Sequence, residues 1–372
     1  MDLRPKTEAE LAEMVAGLQA PVRLQGGGTR AIGQVAADDV LTLSGISGVV
    51  DYEPGALTLV AKAGTPLGEI EALLAAENQR LSFEPMDHRV LLGTQGEPTI
   101  GGVVAANVSG PRRISVGACR DFALGVRFVD GLGRVLKNGG RVMKNVTGYD
   151  LVKLMAGSWG TLGAMTEISL KVMPCPEVEA TLALHVSAPE QAVAAMSAAL
   201  GSPYEVTGAA QSGSVYLRIE GFAPSVAYRL EALEARLRRF GDVERIEAAA
   251  SAKLWQDIRD VRSFAKHDFV TRVSLRPTEM PVFLAKAQAD HSFETLLDWG
   301  GGLAWLASDK DALGGFAQAY CAAHGGHATR IKDAFEACAF QPEAAPVARL
   351  SQGVRQRFDP KGLFNPELMA RG

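Results

Sequence analysis

"RLQGGGTRAIGQVAADDVLTLSG", residues 23–45, passes from an alternating strand pattern into three consecutive glycines and out into a second strand pattern. Glycine inside a regular element costs about 0.5–1 kcal/mol relative to alanine, so Gly26, Gly27 and Gly28 mark a tight bend or a close backbone approach. The substring GGGTRA fits the G-x-G-x-x-G/A spacing of a dinucleotide-binding turn, in which the glycines lead straight into a helix. Here Gly33 interrupts the first turn, Val35 and Asp38-Asp39 oppose a helix, and VLTL resumes an extended pattern. The helix that a doubly wound nucleotide site needs is missing. A loop between strands can still hold an anion, because successive backbone N–H groups in a turn form a concave nest. An ordinary tight turn fits this segment equally well.

At 372 residues the chain is long for one core, which favours two domains. With 47% hydrophobic and 22% charged residues it has the composition of a folded, water-soluble protein. A net charge of -4 and the lack of any basic block interleaved with aromatics exclude nucleic acid as a natural partner. The N-terminus lacks the apolar stretch of a signal peptide and no run approaches the ~20 apolar residues of a spanning helix, so a cytoplasmic location is expected. Cys119, Cys175, Cys321 and Cys338 form no C-x-x-C pair, which argues against a zinc site or a self-contained iron–sulfur cluster and for buried free thiols.

Glycine clusters punctuate the first part of the chain between short β-rich runs. Helices are expected at 8–18, with Thr7 as N-cap, and at 66–76, with Pro66 at the first helical position; Asp130-Gly131 marks a hairpin. The two prolines of KVMPCPEVEA, residues 171–180, read as a boundary. Beyond it strands and helices alternate in the manner of a split β-α-β sheet with helices on one side, and no internal repeat is visible. The expected fold class is α+β. Domains are expected at 1–172 and 173–332, with a C-terminal segment, 333–372, returning to the first.

Small residues concentrate twice more. TIGGVVAANVSGPRRISVG, residues 99–117, combines Gly101-Gly102, Ala105-Ala106 and Ser109-Gly110 with the polar Asn107, Arg112 and Arg113. In NVTGYDLVKLMAGSWGTLGAMTEISLKVMP, Gly157, Gly160 and Gly163 bracket Ser158 and Thr161. Three side-chain-poor loops in one domain suit a long ligand contacted at several places.

Together with the tail FDPKGLFNP, these segments resemble the FAD-binding domain of the vanillyl-alcohol-oxidase and para-cresol-methylhydroxylase family. The whole chain is similar to the FAD-binding subunits of bacterial glycolate oxidases. The resemblance implies a two-part FAD-binding domain and an antiparallel α+β substrate, or cap, domain. It implies FAD contacts at Gly26, Gly27, Gly28, Thr29 and Arg30, at Thr99, Gly101, Gly102, Asn107, Ser109 and Gly110, and at Gly160, Thr161, Gly163 and Ile168. No histidine or cysteine lies in the first two glycine segments, so the FAD is expected to be non-covalent; His88 lies nearby in EPMDHRVL. The resemblance further implies a second FAD-binding subunit and an iron–sulfur subunit as partners, a small 2-hydroxy acid as substrate, and contact with the inner membrane only through those partners.

Oxidising a 2-hydroxy acid needs a hydride acceptor, a base and a cation for the carboxylate. The histidine-rich metal motif of related D-lactate and glycolate dehydrogenases has no match, and no metal is expected. His327 and Arg330 are the candidates for base and carboxylate anchor, against the plainer reading of AHGGHATR as a solvated turn and strand. Trp299 and Trp305 read as core, Arg272 and Arg276 as a solvated strand face, and Lys361 and Asn365 as part of a tail folded back toward the cofactor. Two other readings stand beside the complex subunit: a free-standing FAD-dependent oxidase or dehydrogenase, and a non-catalytic assembly subunit.

Overall fold

The computed structural model describes residues 2–141, 148–310, 312–333 and 338–369, so the start of the third small-residue stretch, 145–147, lies outside the described residues. The helix Glu8–Gly17 begins where the sequence signals it: Thr7 Oγ1 accepts from the Glu10 amide at 3.1 Å, supplying one of the first-turn donors with an acceptor. Leu11 and Val15, one turn apart, bury its inner face. A second helix, Leu67–Ala76, starts just after Pro66.

Three strands, β1 (Asp2–Leu3), β2 (Val22–Gln25) and β3 (Asp39–Thr42), form a parallel sheet in the order β1-β3-β2. Because β2 and β3 are parallel, residues 26–38 must cross from the end of one strand to the start of the other. They do so with no helix.

A five-stranded antiparallel sheet follows, made of β4 (Val49–Glu53), β5 (Thr58–Lys62), β7 (Ala123–Val129), β8 (Val135–Gly139) and β9 (Ala164–Lys171) in the order β4-β5-β9-β7-β8. Asp130 stabilises the β7–β8 hairpin by accepting from the Leu132 and Arg134 amides, both at 3.0 Å. A two-stranded ribbon pairs β6 (Gln79–Arg80) with β10 (Met173–Pro174).

The remaining strands, β11 (Val178–Leu184), β12 (Val206–Ser212), β13 (Ser214–Gly221), β14 (Val243–Glu247), β15 (Phe269–Ser274), β16 (Glu294–Asp298), β17 (Leu303–Ser308) and β18 (His327–Lys332), form one eight-stranded antiparallel sheet. Its order, β14-β11-β13-β12-β16-β17-β15-β18, is a duplication that the sequence does not betray. β11 to β14 and β15 to β18 each run strand, helix, strand, strand, helix, strand, and they pair in mirrored order. The halves meet at the register pair Gln211↔Leu297. The alternating pattern is shared and the residues are not, which is why no repeat is visible in the letters.

The sheet's two faces have different partners. Val273, Leu297, Ala304, Leu306 and Ala328 pack with the helices Pro189–Leu200, Ala223–Leu237, Met280–Asp290 and Ala312–His324. Their strand neighbours Val270, Leu296, Leu303, Trp305 and Ile331 point the other way and share a core with Leu59, Phe83 and Phe128 of the N-terminal part. Strand side chains alternate between faces, so this parity fixes what each polar residue can reach.

A buried ionic network ties the two parts together. Arg112 bonds Glu84 and Glu220 at 2.8 Å each, Arg218 bonds Glu84 at 2.9 Å, and Arg80 bonds Glu220 at 2.8 Å. Burial pushes the Glu84 and Glu220 carboxyls up, but Arg218 and Arg112 outweigh it and hold both below the usual carboxylate range. The Trp255 ring covers the Arg218 guanidinium, whose carbon lies 4.6 Å from the ring centroid.

Candidate functional site

The crossing from β2 to β3 makes one wall of a cavity that encloses about 1020 Å³ of space free of protein atoms, part of it open to solvent. Gly28 takes a left-handed φ of 71°, and a Cβ on Gly27 would collide with the Glu97 carbonyl, so only glycine lets the loop turn and lie flat on residues 96–99. Among the described residues, the amides of Gly27, Gly28, Thr29 and Arg30 donate no hydrogen bond to the protein. Unpaired backbone donors are uncommon in folded chains, and a consecutive run of them makes an acceptor-hungry concavity.

Arg30 adds charge to this wall. Its Nε donates to His88 Nδ1 at 3.2 Å, and its Nη2 is buried with no hydrogen-bond partner. Burial lowers the Arg30 pKa to about 10, against the pull of Asp87. His88 is pushed down to about 3 by burial first and by the Arg30 charge second, so its ring is neutral. A guanidinium only donates, so Nδ1 accepts in that contact; the same Nδ1 also lies 3.3 Å from the Met86 carbonyl oxygen.

The second wall comes from the 99–106 segment. Thr99 Oγ1 accepts from the Gly102 amide at 3.3 Å and caps the helix Ile100–Ala105, while the Gly101 amide donates to Ala63 O at 2.8 Å. A Cβ on Gly102 would lie 3.1 Å from Arg30 Nη1, so the bare backbone leaves the guanidinium its place. Gly160, Gly163, Trp159 and Met165 close the third side, and Asn365 and Leu368 of the tail close the fourth. Asn365 stitches that corner: its Oδ1 accepts from the Leu24 amide at 2.7 Å and its Nδ2 donates to Trp159 O at 2.8 Å. Bare amides beside a guanidinium nitrogen left without a partner, in a cleft with apolar walls, suit a ligand with an anionic centre and flat apolar ends.

Comparison with known proteins agrees with this geometry. A family described as FAD binding domain matches residues 1–139. Glycolate oxidase subunit GlcE of Escherichia coli is 35% identical over 94% of this chain and 93% of that protein. The chain belongs to the GlcE family of FAD-binding oxidoreductase proteins. Glycolate oxidase subunit GlcD of Bacillus subtilis is 30% identical over 44% of this chain and 34% of its own length. Among solved structures, alkyldihydroxyacetonephosphate synthase superposes with a TM-score of 0.72 at 15% identity, covering 98% of this chain and 75% of that one, a likeness of fold.

Of the residues marked in the sequence, Gly26, Gly27, Gly28, Thr29, Arg30, Thr99, Gly101, Gly102, Gly160 and Gly163 line the cavity together. The other FAD candidates do not line it. Asn107 Oδ1 accepts from the Arg120 amide at 2.9 Å, and Ser109 Oγ accepts from the Cys119 amide at 2.9 Å. The Gly110 carbonyl accepts from Trp299 Nε1 at 3.1 Å. Thr161 donates to Ser158 O at 2.7 Å and lines a neighbouring cleft under the tail, together with Lys361. Ile168 is a core residue of β9. These residues shape the loops that carry this family's cavity.

The pairing of His327 with Arg330 is not what the strand register produces. Arg330 shares its parity with Ala328, so it turns toward the helices, packs on Gly314 and forms an ion pair with Asp333. His327 lies on the opposite face at the start of β18, and neither residue lines the cavity. Arg272, read from sequence as solvated, is instead half-buried on the inner face, while Arg276 is exposed as expected. Cys119 and Cys321 are buried thiols, whereas Cys175 is half-buried and Cys338 exposed. Among the described residues no helix is long and apolar enough to cross a membrane.

Trp159, Ala63 and Met165 are cavity residues that the sequence reading passed over. Ala63 had a signal, the small-residue run Ala63-Gly64-Thr65 at the end of β5. The other two are large apolar residues that the letters alone assign to a core.

Proposed function

We propose that this chain is an FAD-binding subunit of a glycolate oxidase assembly, with residues 1–172 and the tail 333–372 holding the cofactor and 173–332 forming the cap. The observation that carries this reading is the similarity to GlcE, which spans both parts of the chain and not the nucleotide-binding part alone. The residues present fit the cofactor. The free amides of residues 27–30 and the orphaned Nη2 of Arg30 would receive the diphosphate oxygens, and the Ala63, Ala105, Ala106 and Trp159 walls would take flat rings. Bound FAD would supply the hydride or electron acceptor for oxidation of a small 2-hydroxy acid. The protein's part is to grip the diphosphate, exclude water and keep the flavin beneath the cap sheet. With no histidine or cysteine among the first two glycine segments, the cofactor would be held without a covalent bond. A second FAD-binding subunit and an iron–sulfur subunit would pass electrons onward and bring the assembly to the membrane.

The test is to express the chain alone and with candidate partner subunits. The isolated chain should be yellow, release its flavin into the supernatant on acid precipitation, and melt higher with added FAD. A ligand at 100 times its Kd stabilises the native state by about 2.7 kcal/mol. A colourless chain whose melting ignores FAD, or one that never co-purifies with partner subunits, would refute the proposal.

A further inference from the structure

A second group of polar side chains without protein partners lies where the inner face of the cap sheet meets the N-terminal part. Arg272, in the middle of β15, is directly opposite Trp305 on β17. Its guanidinium carbon lies 4.9 Å from the Trp299 ring centroid and 5.9 Å from that of Trp305. Arg113, three residues after Gly110, places its own guanidinium 4.5 Å from the same Trp299 ring. The ring that both guanidiniums touch is fixed by the Trp299 Nε1 bond to the Gly110 carbonyl.

Among the described residues the contacts of both guanidiniums are with the tryptophan rings, and neither makes a hydrogen bond or ion pair. A half-buried cation that faces only π-electrons recovers part of its lost hydration, and two such cations on one ring also repel each other. Burial and the Arg113 charge together lower the Arg272 pKa to about 10. Two carboxyls act on them without pairing, Asp121 on Arg113 and Asp298 on Arg272. Asp298 is buried, spends Oδ1 on the Trp299 amide at 2.7 Å, and is pushed up to about 7. His327, on the same face through its pairing with Ser274, is held below its ordinary pKa by burial and then by Arg272 and Arg113. His88, which also feels the Arg272 charge, hands the cluster on to Arg30 at the cavity wall.

We propose that Arg113 and Arg272, both packed against the Trp299 ring, form the binding site for the carboxylate of a small 2-hydroxy acid. The proposal rests on the functional reading above for its choice of acid. The physical case is that one carboxylate, with two acceptor oxygens, satisfies donors on both guanidiniums and removes their mutual repulsion. Trp299 and Trp305 then form an apolar floor beside the carbon next to the carboxylate.

The experiment is calorimetric titration of the FAD-loaded chain with oxalate, an unreactive carboxylate, and in parallel with inorganic phosphate. Oxalate should bind the unaltered chain more tightly than phosphate. Arg113→Gln and Arg272→Gln should each weaken oxalate binding at least tenfold, with FAD content unchanged. Arg272→Lys, which keeps the charge but loses the planar fork, should give an intermediate loss and guards against a misfolded glutamine variant. Failure of the unaltered chain to bind oxalate, equal binding by folded glutamine variants, or phosphate binding as tight as oxalate would each overturn the carboxylate assignment. FAD content is read separately on every sample, so a chain that binds oxalate through the arginines but takes up no flavin would sink the functional reading and leave this site standing.

Discussion

The cavity wall at residues 26–30 and the seam around Trp299 both collect hydrogen-bond donors that the described protein leaves unmet, yet one is built of backbone and the other of side chains. The backbone wall comes from a single contiguous loop, and its chemistry is written in three glycines. The seam is assembled from Arg113, Arg272, Trp299 and His327, carried by separate elements that only the sheet register brings together. A backbone site tolerates changes in side-chain chemistry and fails on any added bulk. The side-chain site behaves in the opposite way.

The largest expected effect tests that asymmetry. Gly27→Val puts branched bulk against the Glu97 carbonyl and should reduce FAD content at least tenfold, read from the flavin absorbance of the purified chain, while leaving oxalate binding at the seam measurable. Loss of both together would show that the two regions are one unit.

Next comes the buried ionic network that ties the two parts of the chain together. Glu220→Gln leaves Arg112, Arg218 and Arg80 without their shared carboxylate and should destabilise the fold by about 3 kcal/mol at pH 7, seen as a drop in melting temperature of several degrees. The sign with pH follows from the depressed folded-state pKa of Glu84 and Glu220. Their contribution is complete above the ordinary value of 4.5 and disappears as pH falls through the lower folded-state values. The gap between the unaltered chain and the variant should therefore narrow in acid. A gap that stays constant down to pH 3 would contradict the pairing.

The smallest effect belongs to Trp299→Phe, which keeps a ring for the two guanidiniums but deletes the donor to Gly110. A cost of about 1 kcal/mol in thermal unfolding is expected, with oxalate affinity reduced only a few-fold. A loss as large as that of Arg272→Gln would move the binding role from the arginines to the indole.

Much of the fold could be read where local signals agree. The Thr7 cap and the Asp130-Gly131 turn form where the letters place them. Strands β12 and β16 were not legible. β12 is VTGAAQS, a run of small residues with little strand preference, and it is extended because β13 pairs along it. Its Gly208 is required by a distant residue, since a Cβ there would lie 2.8 Å from the Trp255 ring. The helix Ala248–Arg259, which carries Trp255, was likewise overlooked. The glycine loops announced the cavity, but Asn107, Ser109 and Ile168 sit beside it because hydrogen bonding and strand parity, which spacing does not encode, turn them elsewhere. The same parity separates Arg330 from His327 and brings Arg272 inward.

Asn365 grips Leu24 across 341 positions of chain, and Phe364 bridges Val22 beside it. The glycine turn that begins the pocket is thus fastened by a stretch synthesised long after it. During translation the early strands can assemble, but the finished pocket has to wait for the tail. Flavin capture is therefore a late event in the life of a nascent molecule, and a protease that clips the tail should release the flavin while the distant duplicated sheet is still intact.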